Sequence, residues 1–309
     1  ADSFATVVER YLEFSSKPGR YWKEVARLLT SHDLQAIRNK PLETITRVEL
    51  VAIIDRVAMR SPSMARALFA ALRPLFKWCI PRGIIETSPL DGVTPPAPLS
   101  ARDRILNEAE IAAFWQATEA LGYPFSPIYR LLLLTGQRRS EVAGMRWDEL
   151  DLAARCWVIP AERTKNGKPH LVDLSPQALE IIDTLDRNVR GLLFSTTSRS
   201  PPSGFSKVKQ RLDHAMSLIL GEQLVPWRNH DLRRTAASGM AALDVPPHVV
   251  ERVLNHLSGA QGGLTGVYQR HEYREERRRA LGAWVSEIQC CAICTKSVSN
   301  IVPLCYSIG

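Results

Sequence analysis

The sequence predicts a mainly α-helical protein with one small antiparallel β-sheet, divided into two domains. Apolar residues recur at helical spacing through most of the chain, as at Phe4, Val7, Val8, Tyr11 and Leu12. Only one place reads as paired strands: the runs Arg155–Ile159 and His170–Leu174, bridged by Thr164-Lys165-Asn166-Gly167-Lys168, where Asn-Gly favours a hairpin. Between the two halves lies Thr94-Pro95-Pro96-Ala97-Pro98-Leu99-Ser100, whose prolines cannot continue a helix and favour an extended link.

Residues 1–95 form the first expected domain, a small helical bundle. Its first helix carries the stripe just named, and a second covers Tyr21 to Leu29. Thr46 caps a third, with Glu49 closing a capping box ahead of Leu50, Ile53, Ile54 and Val57. Ser61-Pro62 starts a fourth containing Leu68, Leu72, Leu75, Phe76 and Ile80, with Pro74 a potential kink. Trp22, Phe69 and Trp78 read as core, not as platforms for stacking bases. Lys17, Arg20, Lys23, Lys40, Arg47, Arg66, Arg73 and Lys77 are candidates to meet phosphates.

After the linker at 96–100, residues 101–289 form the second domain. Asn107 caps a helix and Glu110 returns the bond, ahead of Ile111, Phe114 and Trp115. Tyr129 to Thr135 is a buried helix stopped by Gly136. Beyond the strand pair, helices are expected at Pro176–Asn188, Ser206–Leu220, Asp231–Leu243, Pro247–His256 and Val267–Ile288, the last with Leu281, Trp284, Val285 and Ile288 as its apolar stripe. Residues 290–309 differ in composition from everything before them and read as a flexible or non-native tail. Cys290, Cys291, Cys294 and Cys305 crowd there, but their spacing is poor for zinc, and no metal is expected.

Composition narrows the function. At 45% apolar and 23% charged residues the chain has a globular protein's balance, and no apolar run is long enough to span a bilayer. A formal charge of +8 over 309 residues suits a polyanionic partner. The cysteines do not form a disulfide framework, which points to a reducing cytoplasm.

Two motifs carry the chemistry. In Thr135-Gly136-Gln137-Arg138-Arg139-Ser140-Glu141 an arginine follows the glycine that ends an apolar run, with a glutamate three residues on. In His230-Asp231-Leu232-Arg233 a histidine and an arginine lie three apart, on one helix face if the segment is helical. Both donate into oxyanion lone pairs, so the pair suits a phosphate. A second histidine follows in Leu254-Asn255-His256, and Tyr268 stands twelve residues later. In order and spacing these pieces resemble the tyrosine recombinase (phage integrase) family over about Leu99 to Ile288.

The resemblance implies cleavage and rejoining of double-stranded DNA through a covalent 3′-phosphotyrosine. Arg138 and Arg233 would neutralise the non-bridging phosphate oxygens, each bidentate and permanently charged. His230 and His256 would add directed donors, and one of them could take the tyrosine proton. Tyr268 is the nucleophile; a phenol needs nearby cations to ionise at neutral pH. Lys165 matches the family's lysine that protonates the departing oxygen, with Lys168 as its rival, and Glu141 would orient Arg138 or a neighbouring helix. The covalent link keeps the bond energy, so neither nucleotide nor metal nor other cofactor is expected.

Tyr273 is a competing nucleophile, but a separation of five residues points it to a different helix face from Tyr268, which matches the family's Y-x-R with Arg270. Gly259, Gly262, Gly263 and Gly266 either form a simple connector or let Tyr268 move in and out of register. Arg277, Arg278 and Arg279 precede the last apolar stripe, and in the family such a helix docks on a neighbouring protomer; docking on its own domain is equally open here. The family's commoner L-G-H is L-N-H in this chain, and Asn255 can still take a left-handed backbone. The chain starts without methionine at the first helix, so an N-terminal arm-binding domain is expected to be absent by truncation.

The resulting expectation is a site-specific recombinase of a prophage, genomic island or similar element, with residues 1–95 as the core-type DNA-binding domain and 101–289 as the catalytic domain. Its partners would be attachment-site DNA, three further copies in a homotetramer on DNA, and accessory DNA-bending or excision proteins, with no membrane. It would work in the bacterial cytoplasm, at the nucleoid. Alternatives are a non-catalytic DNA-binding protein of the same fold, or a type IB-like topoisomerase.

Overall fold

The computed structural model describes residues 2–15, 19–96, 103–186, 191–197, 199–256 and 272–299. The chain divides between residues 102 and 103 into two compact units.

The first unit is built on helices α1 (Phe4–Ser15), α2 (Arg20–Leu29), α3 (Arg47–Arg60) and α4 (Pro62–Cys79). Their stripes meet in one core that includes Phe4, Val7, Leu50, Leu72, Leu75 and Phe76. The capping box at α3 is present: Glu49 N–H donates to Thr46 Oγ1 at 3.3 Å and Thr46 N–H to the Glu49 carboxylate at 2.9 Å. Helix α4 ends at Cys79, and Ile80 instead opens a 3₁₀ turn closed by Gly83 at φ 66°. Phe69 is buried, while Trp22 and Trp78 pack half-buried against the same core. Three of the basic candidates bond within the unit: Lys40 to Glu49, Arg47 to the Asp91 carbonyl and Arg66 to the Pro96 carbonyl. Lys23, Arg73 and Lys77 are exposed, and Lys17 and the Arg20 side chain lie outside the described residues.

Among the described residues the second unit contains helices α5 (Glu108–Glu119), α6 (Phe125–Thr135), α7 (Arg139–Ala143), α8 (Pro176–Asp183), α9 (Phe205–Leu220), α10 (Asn229–Ala242), α11 (Pro247–Val253) and α12 (Arg274–Ser299). Its sheet has three antiparallel strands in the order β1 (Leu150–Asp151), β2 (Cys156–Ile159), β3 (His170–Asp173). The Asn107–Glu110 box opens α5 with bonds of 2.8 and 2.9 Å. Gly136, left-handed at φ 64°, returns its N–H to the Leu132 carbonyl and ends α6.

Several expectations are corrected. Strands β2 and β3 pair in the register Ile159↔His170, so the connection is a long loop with a 3₁₀ turn at Ala161–Arg163, not a tight Asn-Gly turn. In it Gly167 has positive φ while Asn166 does not, which rules out the two-residue hairpin turn that Asn-Gly usually signals. Strand β1 is too short to announce itself in the sequence. Helix α8 stops at Asp183, short of Asn188. Helix α11 stops at Val253 because Asn255 turns left-handed at φ 51°. The expected tail boundary at residue 290 is not a structural one: α12 runs on to Ser299, and Cys291 joins the core.

Helix α12 packs on its own unit, against α5, α10 and α11. Leu281, Trp284, Val285 and Ile288 are buried there, and the Trp284 indole N–H donates to the Leu133 carbonyl at 2.9 Å. A side chain at Gly239 would overlap the Trp284 ring, so glycine in mid-α10 makes room for that docking.

Candidate active site

The site is assembled from four chain segments that meet at the end of α6. Immediately after Gly136, Arg138 stands at the N-terminus of α7. Its N–H donates to Glu141 Oε2 at 2.9 Å and its Nη1 to Oε1 at 2.8 Å. One buried carboxylate thus caps the short helix and fixes the direction of the guanidinium.

Helix α10 begins at Asn229, with Arg228 as its N-cap residue, so His230 lies in the first turn and does not cap it. Asp231, buried, accepts from the Arg228 N–H at 2.8 Å and sets the helix start. His230 and Arg233 are then three apart on one helix. Arg233 is only 3% exposed. It donates from Nη1 to the Gly136 carbonyl at 2.8 Å and from Nη2 to the Leu254 carbonyl, and its buried Nε has no hydrogen-bond partner among the described residues. The second arginine therefore ties the residues before Arg138 to those before His256.

The segment leading to His256 is held residue by residue. The Val253 carbonyl accepts from Gln137 Nε2 at 2.8 Å and from His170 Nε2 at 3.2 Å, which requires the Nε2–H tautomer of His170. The Leu254 carbonyl takes Arg233. Asn255 Oδ1 accepts from Asn166 Nδ2 at 2.7 Å, and the His256 N–H donates to the Glu251 carbonyl at 2.9 Å. Sequence reasoning missed Gln137, His170 and Asn166. Of these Gln137 stood inside the T-G-x-R motif and Asn166 in the Asn-Gly pair beside Lys165, while His170 carried no local signal of a polar role.

The four predicted phosphate ligands are brought together electrostatically. Partial desolvation is the largest influence on both His230 and His256 and lowers their pKa, although both residues are exposed. Arg233 comes next for each, Arg234 and Arg138 add to it at His230 and Arg138 at His256, and Asp231 and Glu251 respectively oppose the shift. The pKa of Arg233 is pushed down to about 10, by burial first and Arg138 second, against the opposing pull of Glu141. Arg138 and Arg233 repel each other with Glu141 beside them, and each histidine feels more arginines than carboxylates, which with desolvation favours its neutral form. An oxyanion placed among them would relieve that repulsion.

Lys165 is exposed in the β2–β3 loop, as is Lys168. Arg163, just before it, donates to the Glu141 carbonyl and pairs with Glu149, anchoring the loop base to α7. Tyr268, Arg270 and Gly259, Gly262, Gly263 and Gly266 lie outside the described residues. Tyr273, with φ 49°, sets its ring against His248 at 4.8 Å at the start of α12. Arg277 and Arg278 are committed to the sheet: both pair with buried Asp173, at 3.2 and 3.1 Å, and donate to the carbonyls of Leu171 and Ala154.

Residues 104–275 match the sequence profile of the phage integrase family. The chain belongs to that family. Among curated relatives of this chain, prophage integrase IntF of Escherichia coli K12 is 24% identical over 295 residues, covering 90% of this chain and 60% of IntF. Prophage integrase IntA of the same strain is 34% identical over 158 residues, 51% of this chain and 37% of IntA. The chain thus spans less than two thirds of either relative. Among solved structures, a λ integrase tetramer bound to a Holliday junction superposes with a TM-score of 0.66 at 19% identity, over 84% of this chain and 78% of that one. The mainly helical fold with its small sheet is accordingly the integrase fold.

Proposed function

We propose that this integrase is a site-specific DNA recombinase in which Tyr268 breaks and reseals one strand at a time. The observation that supports this best is the convergence of Arg138, Arg233, His230 and His256 on one site. Arg138 and Arg233 hold the non-bridging oxygens of a phosphodiester, with Glu141 keeping Arg138 in line. The Tyr268 phenolic oxygen attacks phosphorus, one of the two histidines receives the phenolic proton, and the bond to the 5′-oxygen breaks. Lys165 gives that oxygen its proton, and the 3′-phosphotyrosine remains. Attack by a 5′-hydroxyl of another strand reverses each step and completes exchange without an external energy source.

In this reading residues 1–95 clamp the duplex and residues 101–289 carry the chemistry. The relatives are prophage integrases, which favours a prophage or genomic island as the host element. The λ integrase neighbour is a tetramer on a Holliday junction, which favours double-stranded DNA as partner and four copies on it. Accessory bending or excision proteins, and work in the bacterial cytoplasm at the nucleoid, complete the proposal. Among the described residues no helix is long and apolar enough to cross a membrane.

Nicked duplexes drawn from a random-sequence library test it. The protein is expected to capture a subset covalently, sharing one sequence core, and to rejoin them when the missing 5′-hydroxyl strand is supplied. Binding of a defined sequence with no covalent capture would favour a non-catalytic protein. Plasmid relaxation with no sequence requirement would favour a topoisomerase.

A further inference from the structure

We infer that Asn255 is a positioning residue that couples the Lys165 loop to His256. The inference rests on the catalytic reading above and deepens it. Asn255 occupies a left-handed backbone position, φ 51°, at which glycine would satisfy the main chain. A glycine would leave out the second feature. Asn255 Oδ1 accepts a 2.7 Å bond from Nδ2 of Asn166, the residue next to Lys165.

The bond matters because of where each partner sits. Asn255 immediately precedes His256, and its own segment is fixed through Val253 by Gln137 and His170 and through Leu254 by Arg233. Asn166 lies in a loop whose base is held by Arg163 on the Glu141 carbonyl, behind Arg138. Lys165 is thereby bracketed, on one side by the element of the first arginine and on the other by the segment of the second histidine. A lysine on a ten-residue connection (160–169) has many positions open to it. Two side-chain ties, at Arg163 and at Asn166, narrow that range on either side of the lysine. Proton delivery to a leaving oxygen depends on such restriction, because a general acid acts only within hydrogen-bond distance.

Two substitutions isolate the tie. Asn255→Gly keeps the left-handed backbone and removes the acceptor; Asn166→Ala removes the donor from the other side. Hydrogen exchange on the free protein reads the coupling directly. Asn166→Ala is expected to raise exchange at residues 254–256, and Asn255→Gly to raise it at 164–168. Exchange confined to the substituted side in both variants overturns the tie, whatever the protein does to DNA.

The positioning role is read on captured nicked duplexes, comparing ordinary DNA with DNA whose scissile 5′-oxygen is replaced by sulfur. A thiolate, far less basic than an alkoxide, departs without a proton donor. Each variant is expected to slow covalent capture of ordinary DNA about tenfold and to leave capture of the sulfur-substituted DNA unchanged. The double variant should be no slower than either single one, since both remove the same bond. Equal slowing on both substrates, or slowing on neither, overturns the role. A parent protein that captures neither substrate contradicts the catalytic reading and the role with it, while the exchange experiment still decides the tie.

Discussion

Nη1 of Arg233 donates to the carbonyl oxygen of Gly136 at 2.8 Å, two residues before Arg138. The arginine of one motif is therefore held by the backbone of the other, and their separation is set by a bond and not by two independent side chains. Arg233→Lys keeps a charge but cannot reach the Gly136 and Leu254 carbonyls together. It is expected to slow covalent capture of nicked DNA by about a hundredfold or more. The same change should cost about 1–3 kcal/mol in urea unfolding, from carbonyls left unpaired. Arg138→Lys, at a partly exposed position, should slow capture comparably and cost less stability.

Gly136 is itself constrained twice. It has φ 64°, and a Cβ built there lies 2.8 Å from Leu254 Cδ2 and 3.4 Å from Ala236 Cβ. Gly136→Ala is expected to destabilise the protein by about 1–3 kcal/mol and to displace Leu254, two residues before His256. Urea unfolding gives the first quantity, and capture of nicked DNA slowed beyond what the lost folded fraction explains gives the second.

These contacts show how far the sequence could be read. The Thr46–Glu49 and Asn107–Glu110 boxes were legible because each is complete within four residues. The T-G-x-R-x-x-E and H-x-x-R motifs were legible because their chemistry needs particular side chains. Gln137 and His170 were not, because each acts on the Val253 carbonyl, 116 and 83 residues away in sequence. The end of α12 was misread because composition changes at Cys290 while helical packing does not, as buried Cys291 shows. The β2–β3 loop was misread because Asn-Gly is a strong turn signal only where the strands close directly on it.

His170 should give the protein an acid-sensitive core. Its pKa is pushed down to about 4, mainly by burial, with Arg277, Arg233 and Arg138 adding to the effect and the bond to Val253 opposing it. An unfolded histidine titrates near 6.5, so the unfolded chain takes up the proton first as pH falls. The stabilisation is fully present above about pH 6.5 and is lost as pH drops toward about 4. Relative to His170→Gln, the parent protein should lose about 2 kcal/mol between about pH 7.5 and about pH 4.5, by urea unfolding at each pH. A difference independent of pH would mean that the His170 pKa is the same in the folded and the unfolded chain.

Docking of α12 within its own unit is also measurable. Trp284 is 1% exposed and bonded to the Leu133 carbonyl. Trp284→Ala should destabilise the free protein by about 3–5 kcal/mol, with no dependence on protein concentration. A cost that appears only at concentrations where copies associate would place this helix on a neighbour instead.

The central claim is that the cluster around Arg138 and Arg233 serves a tyrosine that bonds to phosphorus. Protease digestion of the covalent complex formed on a captured nicked duplex, followed by mass spectrometry, identifies the attached residue. The nucleotide is expected on the peptide containing Tyr268, and Tyr268→Phe is expected to form no complex. A nucleotide on Tyr273, or a complex that persists in Tyr268→Phe, would contradict the account.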